Sequence, residues 1–321
     1  MPKGYQHLTR DQRCQIYALK TRGVLQKDMA KQLKVSPSTI FREIARNSGR
    51  KGYRFQQADR FATERRQQAS TQPRVMTPEM IGRVTQHLQE KWSPEQIAGR
   101  LAREGISISH ELIYQYVWAD KRSGGTLYTH LRHHGKKYNK RSSGKAGRGC
   151  IPNRVDITAR PAIVETKTRI GDWEGDTVVG PQHQSALLTY VDRKSKFTII
   201  ARLPKKTAEN VVNATVKRFA SLKKAARTIT YDNGTEFASH AKISQKIGVK
   251  CYFATPYHSW ERGLNEHTNG QIRQFFPKGT DFNKVTDAEV AAVEKMINNR
   301  PRKVLHYLKP NEVLSKALRR A

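Results

Sequence analysis

The sequence predicts a multidomain chain in which two all-α modules precede an α/β domain. Three observations carry this. The length of 321 residues exceeds the roughly 100–200 residues of one compact domain. Apolar residues in the first third recur at helical spacing between capping sequences, whereas beyond Ile151 they fall into short β-rich runs. Between the two lies Lys-Lys-Tyr-Asn-Lys-Arg-Ser-Ser-Gly-Lys-Ala-Gly-Arg-Gly, residues 136–149, with six basic groups, no acid and the Gly/Ser content of a flexible linker. The boundaries that follow are 1–50 and 77–122 for the helical modules, 51–76 for a helical spacer, 123–160 for the basic linker, 161–285 for the α/β domain and 286–321 for a C-terminal helical extension.

From Leu8 to Asn47 the pattern gives three short helices. Thr9 with Gln12 three residues later is a capping box, Ile16 and Leu19 mark the buried face, and Gly23 stops the first helix. Gln26 to Leu33 forms the second, and Ser36-Pro37 caps a third that carries Ile40, Phe41 and Ile44 inward. This is a helix-turn-helix, whose last helix reads base edges in the DNA major groove. Ser36, Ser38, Thr39 and Arg42 are then the outward, DNA-reading side chains, and Arg42, Arg46, Arg50, Lys51 and Arg54 the phosphate contacts. An ordinary three-helix bundle shares the same apolar pattern.

Residues 53–70 read as a polar helix with Phe55, Ala58 and Ala62 on one side, a spacer rather than a site. Thr77-Pro-Glu79 and Ser93-Pro-Glu-Gln96 start two more helices, and a third runs from Ser109 to Trp118, giving a second helix-turn-helix. Its Trp92, Tyr116 and Trp118 suit a core as well as a DNA face. In the linker, Lys140, Arg141, Lys145 and Arg148 suit tracking of phosphates or the minor groove. His130, His133 and His134 lack a matched cysteine pair, so no zinc is assigned.

Charge narrows the function class. Sixty Lys and Arg against 27 Asp and Glu give +33 and a pI near 10.4, with +19 in residues 1–150 and +14 in residues 151–321. Such self-repulsion calls for a polyanion, and double-stranded DNA is the expected partner. A ribosomal or packaging protein would share this composition. Cys14, Cys150 and Cys251 are not spaced as a disulfide framework, and no apolar run approaches the roughly 20 residues of a membrane helix. No signal peptide opens the chain, so a cytoplasmic, nucleoid-associated protein without a membrane partner is expected.

Beyond Ile151, Trp173–Gly180, Ala186–Asp192 and Phe197–Leu203 form a three-strand meander. A helix through Val211 to Leu222, a strand Thr228–Tyr231, a helix around Ile243, a strand Cys251–Phe253 and a helix from about Arg262 to Phe276 complete the order βββαβαβα. That order is the ribonuclease-H-like fold of retroviral-integrase type. It places Asp176 on the first strand, Asp232 after the fourth and Glu266 on the last helix, with 33 residues between Asp232 and Glu266. Three converging carboxylates suit two Mg²⁺ ions, which activate an attacking oxygen and stabilise a leaving one in phosphodiester chemistry. Glu266 shares a helical face with Asn269, and Arg262 and Arg273 lie within a turn or two as phosphate-binding groups. Glu174 shares the strand face of Asp176 and is a weaker rival.

Trp173-Glu-Gly-Asp176, Asp192-Arg-Lys-Ser195, Asp232-Asn-Gly234, Pro256-Tyr257, Trp260, Arg262-Gly263, Asn265-Glu-His-Thr-Asn-Gly270, Arg273-Gln-Phe-Phe-Pro-Lys278 and Asn299-Arg-Pro-Arg-Lys303 closely resemble the bacterial insertion sequence 30 family of DDE transposases. The resemblance covers most of the chain. It implies a catalytic and metal-binding set of Asp176, Asp232 and Glu266, with Mg²⁺ as cofactor and Mn²⁺ as a substitute. It also implies cleavage at the terminal inverted repeats, joining of the 3′-hydroxyl to target DNA, and a circular intermediate. Pairing two ends implies a homodimer on DNA. The family commonly has Ser-Pro before the tryptophan and Gln after it, where this chain has His258-Ser259 and Glu261. Glu261 is thus a rival third carboxylate and His258 a rival base; a two-metal site needs no histidine base. The functional rivals are a DNA-binding regulator with an inert domain and a structure-selective nuclease of similar fold.

Overall fold

Capping chemistry sets the first helices in this computed structural model, which describes residues 7–71, 75–132, 151–222, 225–255 and 263–319. α1 (Arg10–Thr21) starts on a reciprocal cap, in which Thr9 Oγ1 accepts from the Gln12 N–H and Gln12 Oε1 from the Thr9 N–H. α2 (Gln26–Gln32) follows, and α3 (Pro37–Asn47) opens on the Ser36 cap. A short hairpin, β1 (Ser48–Gly49) with β2 (Gly52–Tyr53), leads into α4 (Phe55–Thr71). The residues read as a spacer are helical, and Ala58 joins Ile16, Met29, Ala30, Ile40 and Tyr53 in the core of the first of two units, Met1–Thr77 and Pro78–Ala321.

The expected inward Phe41 is 61% exposed, and Glu43 is buried instead. Ile40, Glu43, Ile44 and Asn47 fall at i, i+3, i+4 and i+7, while Phe41 is turned about 100° from Ile40. Burying Glu43 is tolerable because it is paired. Arg13 Nε donates to Glu43 Oε1 at 2.9 Å and Tyr53 Oη donates to the same oxygen at 3.2 Å. Arg13 Nη1 also donates to the Leu8 carbonyl and to Asp59 Oδ1.

The second unit begins with α5 (Pro78–Gln89), α6 (Pro94–Arg103) and α7 (His110–Arg122), the last two capped by Ser93 and Ser109. Val84, Leu88, Trp92, Ile97, Leu101, Ile113 and Val117 are their buried residues. Trp92 is core; Tyr116 and Trp118 are half-buried.

After the short α8 (Ile163–Thr166), β3 (Asp172–Val179), β4 (Ala186–Asp192) and β5 (Thr198–Leu203) form the predicted antiparallel meander. α9 (Ala208–Phe219), β6 (Thr228–Tyr231), α10 (His240–Ile247), β7 (Lys250–Phe253) and α11 (Gly263–Phe275) follow. The sheet order is β5-β4-β3-β6-β7, with β6 parallel to β3 and β7 parallel to β6, so the sheet is mixed. α9 and α10 cover one face through Val211, Phe219, Ile243 and Ile247 against Trp173, Tyr190, Ile229 and Tyr231. α11 and α12 (Asp287–Asn298) cover the other through Ile272, Val290, Val293 and Ile297 against Val178, Leu187 and Ile200.

Two devices hold the sheet in register. At Gly171 (φ +96°) a Cβ would meet the Ala225 carbonyl oxygen at 2.0 Å, so only glycine lets the chain enter β3 this close to the start of β6. Its carbonyl accepts from Arg227 and Thr228, and its N–H donates to the buried Asp192 carboxylate. At the outer edge, Asn298 exchanges two hydrogen bonds with the Thr198 backbone and Glu294 accepts from the Ile200 N–H, so α12 satisfies donors that an open edge strand would expose. α13 (Pro310–Leu318) then packs back on α6, where both Arg100 Nη atoms donate to Glu312 at 2.9 and 3.0 Å.

Candidate catalytic site and nucleic-acid interface

Parallel pairing sets Asp172 opposite Thr228, Trp173 opposite Ile229 and Glu174 opposite Thr230. Beyond the paired residues, a continuation of the same offset would bring Asp176 level with Asp232, the residue that follows β6. Side chains alternate along a strand, so Asp176 shares with Val178 the face beneath α11 and α12.

α11 docks on this point through amides. Asn269 Nδ2 donates to Asp176 Oδ2 at 2.7 Å, and the Thr177 N–H donates to Asp176 Oδ1 at 2.9 Å. Thr189 Oγ1 bridges the Asp176 carbonyl and Asn269 Oδ1, and Asn265 Nδ2 approaches the Gly175 carbonyl at 3.5 Å. Glu266 lies in the first turn of α11, exposed, three residues before Asn269. On a helix that spacing puts the two Cβ atoms about 5–6 Å apart. Asp232, half-buried, accepts from the Gly234 N–H at 3.0 Å.

A fourth acid, not picked out from the sequence, stands beside these. Glu236 is 5% exposed, and its Oε1 accepts from Thr177 Oγ1 at 2.9 Å and pairs with Lys206 Nζ at 2.8 Å. At Gly234 a Cβ would lie 2.5 Å from Glu236 Oε2 and 3.0 Å from Asp232 Oδ1, so a side chain there would crowd both carboxylates. The signal was an acid four residues past Asp232 in the turn Asp232-Asn-Gly-Thr-Glu236. Glu174, the rival on the strand, is buried 3.2 Å from Arg193. Glu261, His258 and Arg262 lie outside the described residues.

Among the described residues no group of three or more His, Cys, Asp or Glu side chains is gathered as a metal site. The donor chemistry does fit a hard divalent cation: Asp176 within β3, Asp232 just past β6 and Glu266 at the start of α11 offer carboxylate oxygens, the ligands Mg²⁺ prefers. Arg273 is committed to the protein, donating to the Val179 carbonyl at 2.6 Å and the Pro277 carbonyl at 3.3 Å, and burial pushes its guanidinium pKa down.

In the first unit, Ser36 caps α3 and its Oγ bonds Ser38 Oγ and Thr39 Oγ1, while Arg42 Nε donates to the Ser38 carbonyl. Ser36, Ser38, Arg42 and Arg46 are exposed and Thr39 half-buried. Arg42 and Arg46 line a groove with Arg65 and Arg66 of α4; Arg50, Lys51 and Arg54 line another with Arg60. The α4 arginines were not expected, because a polar helix read alone gives no hint of the neighbour it faces. Lys140, Arg141, Lys145 and Arg148 lie outside the described residues. Among the described residues no helix is long and apolar enough to cross a membrane.

These features define a DNA-acting protein class: a helix-turn-helix domain, matched over residues 4–47, ahead of an integrase core domain, matched over residues 168–259, whose mixed sheet is ribonuclease-H-like. Along nearly its whole length the chain is similar to the transposase for insertion sequence element IS4351 of Bacteroides fragilis, 48% identical over 95% of this chain and 94% of the relative. The transposase for IS1086 of Cupriavidus metallidurans is 36% identical over 98% and 96% of the two chains. The transposase InsI for IS30A of Escherichia coli is 37% identical over 97% and 84%. The chain belongs to the insertion sequence 30 family of transposases.

Proposed function

We propose that this chain binds the terminal inverted repeats of its own insertion sequence and catalyses metal-dependent 3′-end cleavage followed by strand transfer to target DNA. The observation that carries the proposal is the Asn269–Asp176 hydrogen bond, which seats α11 one turn from Glu266, beside a β3–β6 register whose continuation would level Asp176 with Asp232. Asp176, Asp232 and Glu266 are the residues that would hold Mg²⁺, or Mn²⁺ in its place. A pair of such ions supplies activation of the attacking oxygen and stabilisation of the leaving one. Asn269 and the Thr177 N–H orient the Asp176 carboxylate, and Lys206 holds Glu236 at the Thr177 hydroxyl. Bringing the three carboxylates into one ligand set falls to DNA and metal binding.

The N-terminal side chains of α3, Ser36, Ser38, Thr39 and Arg42, read base edges, and Arg46, Arg50, Lys51 and Arg54 hold phosphates with Arg65 and Arg66. The helices α5–α7 serve as a second DNA-reading module, and two protomers pair the two ends. Lys140, Arg141, Lys145, Arg148 and Arg262 add phosphate contacts.

The test is incubation of the full chain with a duplex ending in the terminal repeat. The expected result is a Mg²⁺-dependent nick leaving a 3′-hydroxyl at the repeat boundary, joined to a second duplex, with a scrambled repeat uncut. Binding without metal-dependent cutting would make the protein a regulator; cutting regardless of the repeat would make it a structure-selective nuclease.

A further inference from the structure

α11 carries a second stripe of residues, His267, Gly270, Gln271 and Gln274, at i, i+3, i+4 and i+7, alongside the stripe of Glu266, Asn269 and Arg273. Arg132 and, from a distant part of the second unit, the neighbouring Arg300 and Arg302 gather along it. Arg302 lines a cavity of about 720 Å³ with His267, Gln271, Glu165 and Glu174, and its Nη2 donates to the Ile297 carbonyl at 3.0 Å. Arg300 donates from Nη1 to Gln274 Oε1 at 3.1 Å and stands 5.7 Å over the Phe275 ring. Arg132 reaches Gly270, where a Cβ would lie 2.6 Å from its Nη2.

Among the described residues these guanidiniums pair with no carboxylate; Glu165 and Glu174, which line the same cavity as Arg302, are paired with Arg160 and Arg193. Arg300 is 4% and Arg302 8% exposed, and neither they nor Arg132 is in an ion pair with a described residue. Arg300 Nε and Nη2 and Arg302 Nε are buried donors without an acceptor among the described residues. Burial, then the charge of Arg132, pushes the Arg300 pKa down to about 10; burial, then Arg300 and Arg132, pushes Arg302 down to about 9. Partial desolvation and the same three guanidiniums hold His267 below its ordinary range. Buried cations without a counter-charge are strongly unfavourable, so the arrangement calls for an anion from outside. An arginine fork matches a phosphate oxyanion two hydrogen bonds at a time.

We propose that Arg132, Arg300 and Arg302 form a phosphodiester-binding site that holds the DNA backbone beside the Glu266 turn of α11. Gly270 lies four residues after Glu266, about 6 Å along the helix axis, and its missing side chain admits Arg132. Arg132, exposed, and Arg302, at the cavity, contact the phosphate; Arg300 stands behind them and adds its field. The site deepens the proposed function and rests on DNA being the substrate.

The test uses the full chain, its Arg132→Gln, Gly270→Ala and Arg302→Met variants, and end-repeat duplexes in which one phosphate at a time is replaced by a neutral methylphosphonate. Arg132→Gln should weaken binding about tenfold, as for loss of a charge-assisted hydrogen bond. The slope of log affinity against log salt should become shallower by about one. One methylphosphonate should weaken the wild type as much and cost Arg132→Gln nothing further. Gly270→Ala should weaken binding without removing a charge. Arg302→Met should melt higher than the wild type without DNA yet bind DNA less well, the reverse of a purely structural arginine. If Arg302→Met does not fold, the exposed Arg132 still decides through the methylphosphonate pairing.

The proposal is overturned if no methylphosphonate position is suppressed by Arg132→Gln. It is also overturned if inorganic phosphate alone gives the full Arg132-dependent rise in melting temperature, marking a free-phosphate site. A melting temperature that rises with protein concentration and depends on Arg132 would instead give the counter-charge to a second copy. Normal end cutting without the pairing removes this site alone, whereas the pairing without any cutting removes the catalytic reading alone.

Discussion

Arg13 in the first unit and Arg300 in the second are equally buried, each 4% exposed, and their surroundings are opposite. Arg13 is met by Glu43, Asp59 and the Leu8 carbonyl. Arg300 has one amide oxygen, an aromatic face and two buried nitrogens without an acceptor among the described residues. The difference separates two uses of a buried charge. Where the partners come with the fold, the cation is architecture and its removal should damage the unit. Where they do not, the fold carries a standing cost that a bound anion relieves.

The largest effect that could break this comparison is on the paired side. Glu43→Gln should destabilise the helices α1–α4 by about 3 kcal/mol, the low end for breaking a buried pair because Asp59 and the Leu8 carbonyl remain. Amide exchange in α1–α4 reports it, and unchanged protection would show that Arg13 is no better held than Arg300. Loss of a buried guanidinium should likewise act in opposite directions, downward in stability for Arg13→Met and upward for Arg302→Met.

A smaller effect is expected from pH. His267, though exposed, is depressed by partial desolvation and by Arg302, Arg132 and Arg300, so the unfolded chain takes up its proton first as pH falls. Its contribution to stability is full above the ordinary histidine value of 6.5 and is lost as pH falls through the lower folded value. His267→Gln should flatten that part of the melting curve against pH, and a DNA duplex should flatten it too if phosphate neutralises the cluster. An unchanged curve in the variant would detach His267 from the arginines.

The same contrast marks what the sequence could disclose. Local patterning placed the meander strands within a residue or so: Ala186–Asp192 is unchanged, and Trp173–Gly180 became Asp172–Val179. It placed the caps Thr9, Ser36 and Ser93 as well, because a cap is decided within four residues. Alternation and strand order placed Asp176 within β3 and Asp232 directly after its parallel neighbour β6. Non-local pairing was illegible. Nothing local marked Glu43 for burial, because Arg13, its partner, lies 30 residues away, so Phe41 was given the inward place. Nothing near Arg273 announced the Val179 carbonyl to which it donates. Arg132 and Arg302 are separated by most of the second unit, and only folding shows that they share α11 with Glu266.

The central claim is that Asp176, Asp232 and Glu266 act as one catalytic set, and it is tested most directly by measuring binding and Mg²⁺-dependent cutting of the same end-repeat duplex for Asp176→Asn, Asp232→Asn, Glu266→Gln and Glu261→Gln. The account predicts that the first three bind the duplex as the wild type does and do not cut it, while Glu261→Gln keeps appreciable cutting. Cutting retained by any of the first three, or lost by Glu261→Gln as completely as by Glu266→Gln, would contradict it.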